Sequence, residues 1–367
     1  MNEKHKEPLF HIVKKGAIPW YQSVGIRMMA IVCALLLCAV ITTITTGINP
    51  IDVFASMVNG AFGTTRKTWV TLQNISILLL ISLALTPAFK MKFWNIGGEG
   101  QVLIGGLAAA ACMICLGEKM SNAMLIVCMI VSSICAGMIW GVVPAFFKAK
   151  WNTNETLSTL MMNYIATQLV AFFTIRWEVP KGSGKIGIIN QNSNAGWLPQ
   201  IMDSKYLLSI LVAVAVTVFM YIYLKYSKQG YEISVVGESE NTAKYVGIKV
   251  NTVIIRTMAL SGGICGLVGL LLVGGINHTI TTTIAGGQGF TGVMVSWMSK
   301  FNPLVMVLSS SLIIFMNRGA GEISTNFGLN HSYSDILTGI ILFFIIGCEF
   351  FITYRLQFCK KADKEVQ

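Results

Sequence analysis

Ten long apolar runs, most of them 17 to 26 residues long, restrict the folds open to this chain more than any other feature. A helix of about 20 residues crosses the roughly 30 Å hydrocarbon core of a bilayer. Only helices or closed barrels satisfy every backbone polar group in lipid. Charged residues make up 12% of the 367 positions, against about 25% in a soluble domain. The sequence therefore predicts an all-α fold, a polytopic transmembrane helical bundle.

The predicted crossings number about ten. Two short ones are separated by Asn302-Pro303, and proline breaks a helix because it lacks the backbone N–H donor. Lys and Arg favour cytoplasmic segments. With the N-terminus inside, nineteen of the 27 Lys and Arg residues fall in inner segments, so both termini are predicted to be cytoplasmic. The predicted crossings are residues 26–46, 69–87, 100–116, 122–147, 156–175, 206–224, 253–276, 288–299, 303–317 and 336–354.

This pattern divides the chain into a cytoplasmic segment (1–25), a transmembrane domain (26–355) and a cytoplasmic tail (356–367). Two polar segments interrupt the transmembrane domain. The outer one, 176–205, is long enough to be functional, and it is a candidate docking surface for an outside partner. The inner one, 225–256, mixes charges with apolar residues. It predicts a short helix that begins near Ser239, ends at a glycine and is contacted by a separate motor protein.

The residue patterns of catalysis are absent from the sequence. The stretch Gly-Ser-Gly-Lys-Ile at 182–186 lacks the upstream glycine and the final Ser or Thr of a P-loop. The four histidines are dispersed, and Cys112 and Cys115 lie in an apolar run, where we interpret them as small buried hydrophobes. Basic residues flank the apolar runs and do not cluster as in nucleic-acid binders. We predict no enzyme activity, no catalytic residue, no metal or cofactor, and no nucleic-acid partner.

Glycines and buried acids mark further positions. Glycine-rich stretches at 97–101 and 286–289 open the third run from the inner side and the eighth from the outer side, which predicts an inverted repeat. The small residues at 262–269 predict close helix packing. Glu99 and Glu155 are predicted at inner helix ends, where an acid stabilises a helix N-terminus by about 0.3–1 kcal/mol.

Three motifs resemble those of a known transporter family. Residues 95–101 (NIGGEGQ) resemble the N-I-G-x-E-G-Q signature of ABC importer permeases of the simple-sugar, nucleoside and branched-chain amino acid group. Residues 154–164 (NETLSTLMMNY) are similar to a run in its nucleoside-type subgroup. Residues 289–292 (GFTG) with Asn302-Pro303 resemble that subgroup's G-[FY]-x-G and N-P pair. The similarity extends from about Val70 to Phe350.

The resemblance implies the transmembrane subunit of an importer of nucleosides, or of a related sugar-like solute, in a bacterial cell membrane. It implies separate ATPase subunits, a second permease subunit and an extracytoplasmic substrate-binding lipoprotein as partners. The inner loop would carry a coupling helix that fits a cleft on the ATPase. The corresponding residues are Gly237, Glu238, Asn241, Ala243, Lys244, Tyr245, Gly247 and Ile248. Amide and aromatic side chains suit a solute that stacks and hydrogen-bonds. The candidates for the translocation path are Asn95, Glu99, Gln101, Asn163, Tyr164, Gln288 and Phe290.

Two other classes of protein remain as alternatives. An ion-coupled secondary transporter of a small polar solute would need an ionisable site near the membrane midplane. A membrane-embedded enzyme would need a catalytic constellation. The sequence leaves open the substrate, the exact number of crossings, and whether the permease pair is two copies or two related chains, although the resemblance favours two related chains.

Overall fold

The computed structural model describes residues 10–16, 19–202 and 204–358, and helices dominate this part of the chain. Nine of its helices are long and apolar enough to cross a membrane. The prediction of an all-α polytopic bundle is therefore confirmed. The helices are α1 (Trp20–Thr46), α2 (Pro50–Phe62), α3 (Thr65–Lys90), α4 (Gly98–Leu116), α5 (Asn122–Trp151), α6 (Glu155–Trp177), α7 (Leu207–Tyr226), α8 (Lys228–Glu238), α9 (Glu240–Tyr245), α10 (Val250–Leu270, continued by a π-helix over Leu271–Asn277), α11 (Gln288–Met298), α12 (Pro303–Asn326) and α13 (His331–Thr353); the strands are β1 (Phe10–Lys14) and β2 (Tyr354–Phe358).

The chain forms two compact units. The terminal unit comprises residues 1–63 and 315–367, and the central unit comprises residues 64–314. In the terminal unit, β1 pairs antiparallel with β2, and Arg27 of α1 forms an ion pair with Glu349 of α13. The chain therefore enters α1 beside the point where it leaves α13. Both flanking segments lie on one side of this unit, as expected for an even number of crossings.

The core of the central unit is built from α4, α5 and α10, whose backbones approach closely at glycines. A Cβ atom added to Gly262 would lie 2.2 Å from the carbonyl oxygen of Gly137, and one added to Gly266 would lie 2.2 Å from that of Ser133. Backbone atoms cannot move aside as a flexible side chain would, so these positions accept no side chain. The predicted close packing of residues 262–269 is confirmed.

Three features of the predicted helix pattern are wrong. The run 288–299 is the eleven-residue α11, about 17 Å long at 1.5 Å per residue, and it is too short to cross a bilayer. Helix α12 continues to Asn326 instead of ending at 317, and α2 was not predicted. Helix α11 runs alongside α3, with Gly292 against Ile81 and the Trp297 ring against Phe89. Residues 278–287 lead from the end of the π-helix into the bundle, and α11 continues from there. Together they form a tenth passage in addition to the nine long helices of the described residues.

The inner polar segment is an ordered helical pair. Ser239 caps α9, its hydroxyl accepting the amide of Thr242 at 3.3 Å, and Gly247 ends the helix with a φ of +83°. The predicted short helix is therefore confirmed, whereas α8 was not predicted. Ile233, Val236 and Ala243 bury their side chains against α10, and Gly237 lies against the carbonyl oxygen of Lys90 at the end of α3.

The outer segment is also ordered, and it covers one end of the central core. The Asn190 amide donates to the carbonyl oxygen of Met113 on α4, and the Gly196 N–H donates to the Asn122 side chain on α5, both at 2.8 Å. The Trp197 ring stacks on His278 with centroids 3.8 Å apart. These contacts tie the segment to α4, α5 and the end of the π-helix.

Candidate functional site

Glu99 lies inside the helix bundle of the central unit, and this corrects the predicted position at the inner mouth. The Lys148–Glu155 ion pair (3.0 Å) lies at the end of α5 and the start of α6, in the polar region that is predicted to be the inner side. Gly100 donates its N–H to the Asn163 side chain at 2.8 Å. Asn163 is eight residues beyond Glu155, or about 12 Å further along α6. Glu99 therefore begins α4 about two helical turns inside the polar end of the bundle.

The carboxylate of Glu99 holds the start of α11. It accepts the N–H of Gly287 at 2.9 Å through one oxygen and that of Gly289 at 2.8 Å through the other. A Cβ atom on Gly289 would lie 2.4 Å from the Glu99 nitrogen, so only glycine permits this approach. The negative charge stabilises the positive end of the α11 dipole. The two glycine-rich motifs are thus in direct contact, because α11 begins within the bundle and not at its outer side; the inverted repeat stays a prediction.

Three of the four amide residues proposed for the path, Asn95, Gln101 and Asn163, are buried, and they hold the re-entrant segment 91–97 in place. The Asn95 amide donates to the Ser261 hydroxyl of α10 at 3.1 Å, and its oxygen accepts the Gly97 N–H at 3.0 Å. The Asn163 amide donates to the carbonyl oxygen of Ile96 at 2.9 Å. Gln101 is also buried and donates to the Asn95 oxygen at 3.4 Å. In this chain these side chains satisfy backbone and side-chain groups at the start of α4.

The aromatic candidates remain accessible. Tyr164 of α6 and Phe290 of α11 are exposed, and Gln288 is half-buried. Trp297 lies seven residues after Phe290, on the same face of α11, and it stacks on Trp94 with centroids 5.1 Å apart. These two indoles are 46% and 45% exposed, and they are not among the residues predicted from the sequence. Their signal was the position of Trp94 directly before the NIGGEGQ motif and the helical spacing of Trp297 from Phe290.

The proposed coupling residues lie on α9 and directly on either side of it in the sequence, and two of them are buried anchors. Gly237 and Ala243 are buried, whereas Glu238, Asn241 and Lys244 are exposed. The Tyr245 ring is 93% exposed. The Ile248 N–H donates to the carbonyl oxygen of Ala243 at 2.9 Å, and this bond folds the chain back towards α10 after Gly247.

Two titratable groups of the outer side have shifted pKa values. The amides of Gly182 and Gly184 bind the exposed carboxylate of Glu178 at 2.7 and 2.8 Å and lower its pKa, because they stabilise the charged form. Burial lowers the pKa of His278, and the positive charge of Lys205 lowers it further. The ring of His278 therefore stays neutral beneath Trp197 at neutral pH.

The class of protein follows from three features: membrane-crossing helices in a bundle, a re-entrant motif within it, and an ordered helical pair on one polar end. The chain is a multi-pass membrane protein, and its sequence contains no nucleotide-binding motif. The chain belongs to the family described as branched-chain amino acid transport system / permease component, whose model matches residues 70–346. This confirms the family resemblance of the sequence motifs.

Several characterised relatives match over nearly the whole chain. The guanosine ABC transporter permease protein NupP of Bacillus subtilis is 28% identical over 339 residues, covering 91% of this chain and 94% of that protein. The nucleoside ABC transporter permease protein NupB of Lactococcus lactis is 25% identical, covering 88% and 91%. The glucose ABC transporter permease protein TsgB13 of Haloferax volcanii is 24% identical, covering 93% and 92%. All three are permease subunits.

Proposed function

We propose that this chain is the transmembrane permease of an ABC importer that moves nucleosides, or a related sugar-like solute, into a bacterial cell, with ATP hydrolysed on separate subunits. The observation that carries the proposal is α9, a capped helix that is anchored to the bundle by Ala243 and presents Tyr245 to solvent. An exposed aromatic residue on a rigid support is suited to fill a pocket on a partner protein.

The anchoring of α8 and α9 suggests how force reaches the centre of the bundle. Helix α8 packs on the end of α3 at Gly237, and both short helices pack on α10. Helix α3 in turn carries α11, and Ser261 of α10 holds Asn95. A displacement of α9 by a closing ATPase would therefore move both sides of the re-entrant motif around Glu99. The permease then acts as a conformational switch and catalyses no bond-breaking step.

We assign the translocation path to the accessible face beside this motif. Tyr164, Gln288 and Phe290, together with Trp94 and Trp297, offer aromatic faces and amides to the solute, since a nucleobase stacks on such faces and a ribose hydrogen-bonds. The buried amides of Asn95, Gln101 and Asn163 support the residues that line the path, and Glu99 positions α11. The nucleoside assignment draws on the printed functions of NupP and NupB, and the sugar alternative on that of TsgB13.

The remaining partners follow from the same proposal. A second permease subunit completes the path, and we favour a related chain over a second copy. The ordered outer segment, 176–205, is the proposed contact for a substrate-binding lipoprotein. Both termini lie in the cytoplasm, in keeping with the positive charge at the inner ends and the pairing of β1 with β2.

Two experiments test the proposal. The first replaces residues 240–247 with a Gly-Ser linker, or Tyr245 with Ala, and measures how much ATPase subunit copurifies; we expect loss of the ATPase. Met202→Ala is the matched control, because it truncates a side chain that is 87% exposed on the outer segment. Unchanged copurification after the linker replacement would contradict the role of α9 in coupling.

The second experiment measures uptake of labelled guanosine, uridine, ribose and glucose into cells with and without this chain. Loss of nucleoside uptake alone supports the nucleoside assignment, and loss of sugar uptake alone replaces it with the sugar alternative. Uptake that persists without the ATPase subunit but stops when a protonophore is added would instead support the ion-coupled transporter, whose ionisable group would be Glu99.

A further inference from the structure

A basic pocket of about 520 Å³ opens at the inner end of the central unit, and its lining shares no residue with the proposed coupling surface or translocation path. It lies where four elements meet: the last residue of α3, the last turns of α7, the first half of α8 and the turn before α12. Its volume falls in the range of about 300–1,000 Å³ that small-ligand sites occupy. The lining residues are Lys90, Tyr221, Leu224, Lys225, Tyr231, Ser234, Phe301, Asn302, Pro303 and Leu304.

The charge of this pocket is positive and uncompensated by its own lining. Lys90 and Lys225 both line it, and no carboxylate is among the lining residues. The nearest acid of α8 in the sequence, Glu232, is engaged by Arg256 at 2.8 Å. The Lys225 ammonium donates to the Tyr221 hydroxyl at 3.0 Å and lies 5.2 Å from the centre of that ring. An anion that enters meets two cations.

The neutral part of the lining suits a headgroup more than a free ion. The Asn302 oxygen accepts the Leu304 N–H at 3.1 Å, which leaves the amide NH₂ of Asn302 as a donor for a ligand. Leu304 is exposed on the first turn of α12, and Leu224 and Tyr221 lie on the membrane-crossing part of α7. The pocket is therefore basic and hydrogen-bonding at its polar end and apolar along the helices that enter the membrane.

We propose that this pocket binds the phosphate headgroup of an anionic phospholipid, with the acyl chains lying along α7 and α12. Lysines at the end of a membrane helix attract anionic lipids through the charge of the membrane surface. The phosphate lies between Lys90 and Lys225, and the Asn302 amide donates to a headgroup oxygen. The assignment to the inner leaflet rests on the proposed orientation of the permease, but the lipid binding itself does not.

The test is native mass spectrometry of the delipidated full-length protein, titrated with phosphatidylglycerol or with phosphatidylcholine. We expect preferential retention of phosphatidylglycerol. Lys90→Gln and Lys225→Gln should each weaken it about fivefold, the factor that corresponds to about 1 kcal/mol per basic residue near a membrane surface. Lys150→Gln is the matched control, because Lys150 also lies over an aromatic ring, 5.2 Å from Trp151, at the inner end of α5 but outside the pocket. It should leave retention unchanged.

Four results would overturn the proposal. An equal loss in all three variants, or no preference for phosphatidylglycerol, would show unspecific surface attraction. Competition by millimolar inorganic phosphate or glycerol 3-phosphate, equally in the unaltered protein and in Lys150→Gln, would assign the pocket to a soluble phosphate ligand. Unaltered lipid retention combined with loss of ATPase copurification in Lys90→Gln and Lys225→Gln would assign it to the ATPase interface. Because lipid retention is measured without transport, it is independent of the nucleoside assignment.

Discussion

The substitution Glu99→Gln tests whether this carboxylate holds α11. Two backbone donors, at 2.9 and 2.8 Å, share the two carboxylate oxygens. A glutamine offers a single oxygen, and its NH₂ group cannot accept, so one N–H of Gly287 or Gly289 loses its partner. Gly289 is buried, and an unsatisfied buried donor costs about 1–3 kcal/mol, whereas Gly287 is exposed and water can bind its N–H; the cost therefore applies where the bond to Gly289 is the one lost. That cost corresponds to an increase of about 5- to 150-fold in the opening of the α11 N-terminus.

Hydrogen exchange of the amides at 287–289, measured by mass spectrometry on the purified protein, reports this opening directly. Glu178→Gln is the matched control. Glu178 also accepts two glycine amides, at 2.7 and 2.8 Å, but on an exposed loop where water replaces a lost bond. We expect the exchange rate at 182–184 to change less than fivefold. If exchange at 287–289 in Glu99→Gln rises no more than exchange at 182–184 in the control, Glu99 does not fix α11.

Three further predictions follow from the packing, the aromatic face and the outer segment. Gly266→Ala should abolish the monodisperse peak in size-exclusion chromatography, because its Cβ would lie 2.2 Å from a backbone oxygen of α5. Gly339→Ala, which has open space around it, should keep the peak, and equal behaviour of the two variants would contradict the packing. Trp297→Ala should raise the KM of nucleoside uptake about tenfold and affect ribose uptake less, since stacking contributes about 1–3 kcal/mol per base; an equal effect on both solutes would contradict base stacking on Trp94 and Trp297. The midpoint of thermal unfolding should fall as the pH drops below about 6.5, because the lowered pKa of His278 means that the unfolded chain binds the proton first. His278→Asn should flatten this pH dependence, and an unchanged slope would show that His278 is not the group responsible.

The sequence was sufficient to predict the helical class, most of the long crossings and the short helix α9. Those elements depend on local signals: an apolar run of the right length, or a cap such as Ser239 followed by a stop at Gly247. The family motifs were equally local, and they led to the permease family. The glycines at 262–269 also predicted their own close packing, because small residues at helical spacing have few other uses in a membrane.

The position of Glu99 could not be predicted from the sequence. Hydropathy records where a run becomes polar, but not whether the chain has re-entered the bundle before the next helix begins. Segment 91–97 re-enters because Asn163 donates to the carbonyl oxygen of Ile96 from 67 residues away in sequence, and Ser261, 166 residues from Asn95, accepts the Asn95 amide. The same long-range contacts bury the amides that had been assigned to the path, and they bring Trp94 to Trp297.

The contact between the two glycine-rich motifs gives the bundle a defined centre. The start of α4 and the start of α11 meet at Glu99, about two helical turns from the polar end. Irregular backbone is tolerated at such a depth only where protein or a water-filled cavity covers it. Helix α11 packs along α3, and its start is held by one carboxylate; because it is only half as long as a full crossing, fewer contacts must change when it moves. This makes α11 the element of the central unit best suited to open and close the proposed path.

The most direct test of the central claim is guanosine uptake into proteoliposomes that contain the complete transporter, with ATP supplied on the side of α9. We expect ATP-dependent uptake that Tyr245→Ala abolishes, while ATP hydrolysis by the separately purified ATPase subunit persists, because only the contact between α9 and the motor is lost. Uptake that Tyr245→Ala leaves intact, or that proceeds without ATP, would contradict the coupling role of α9.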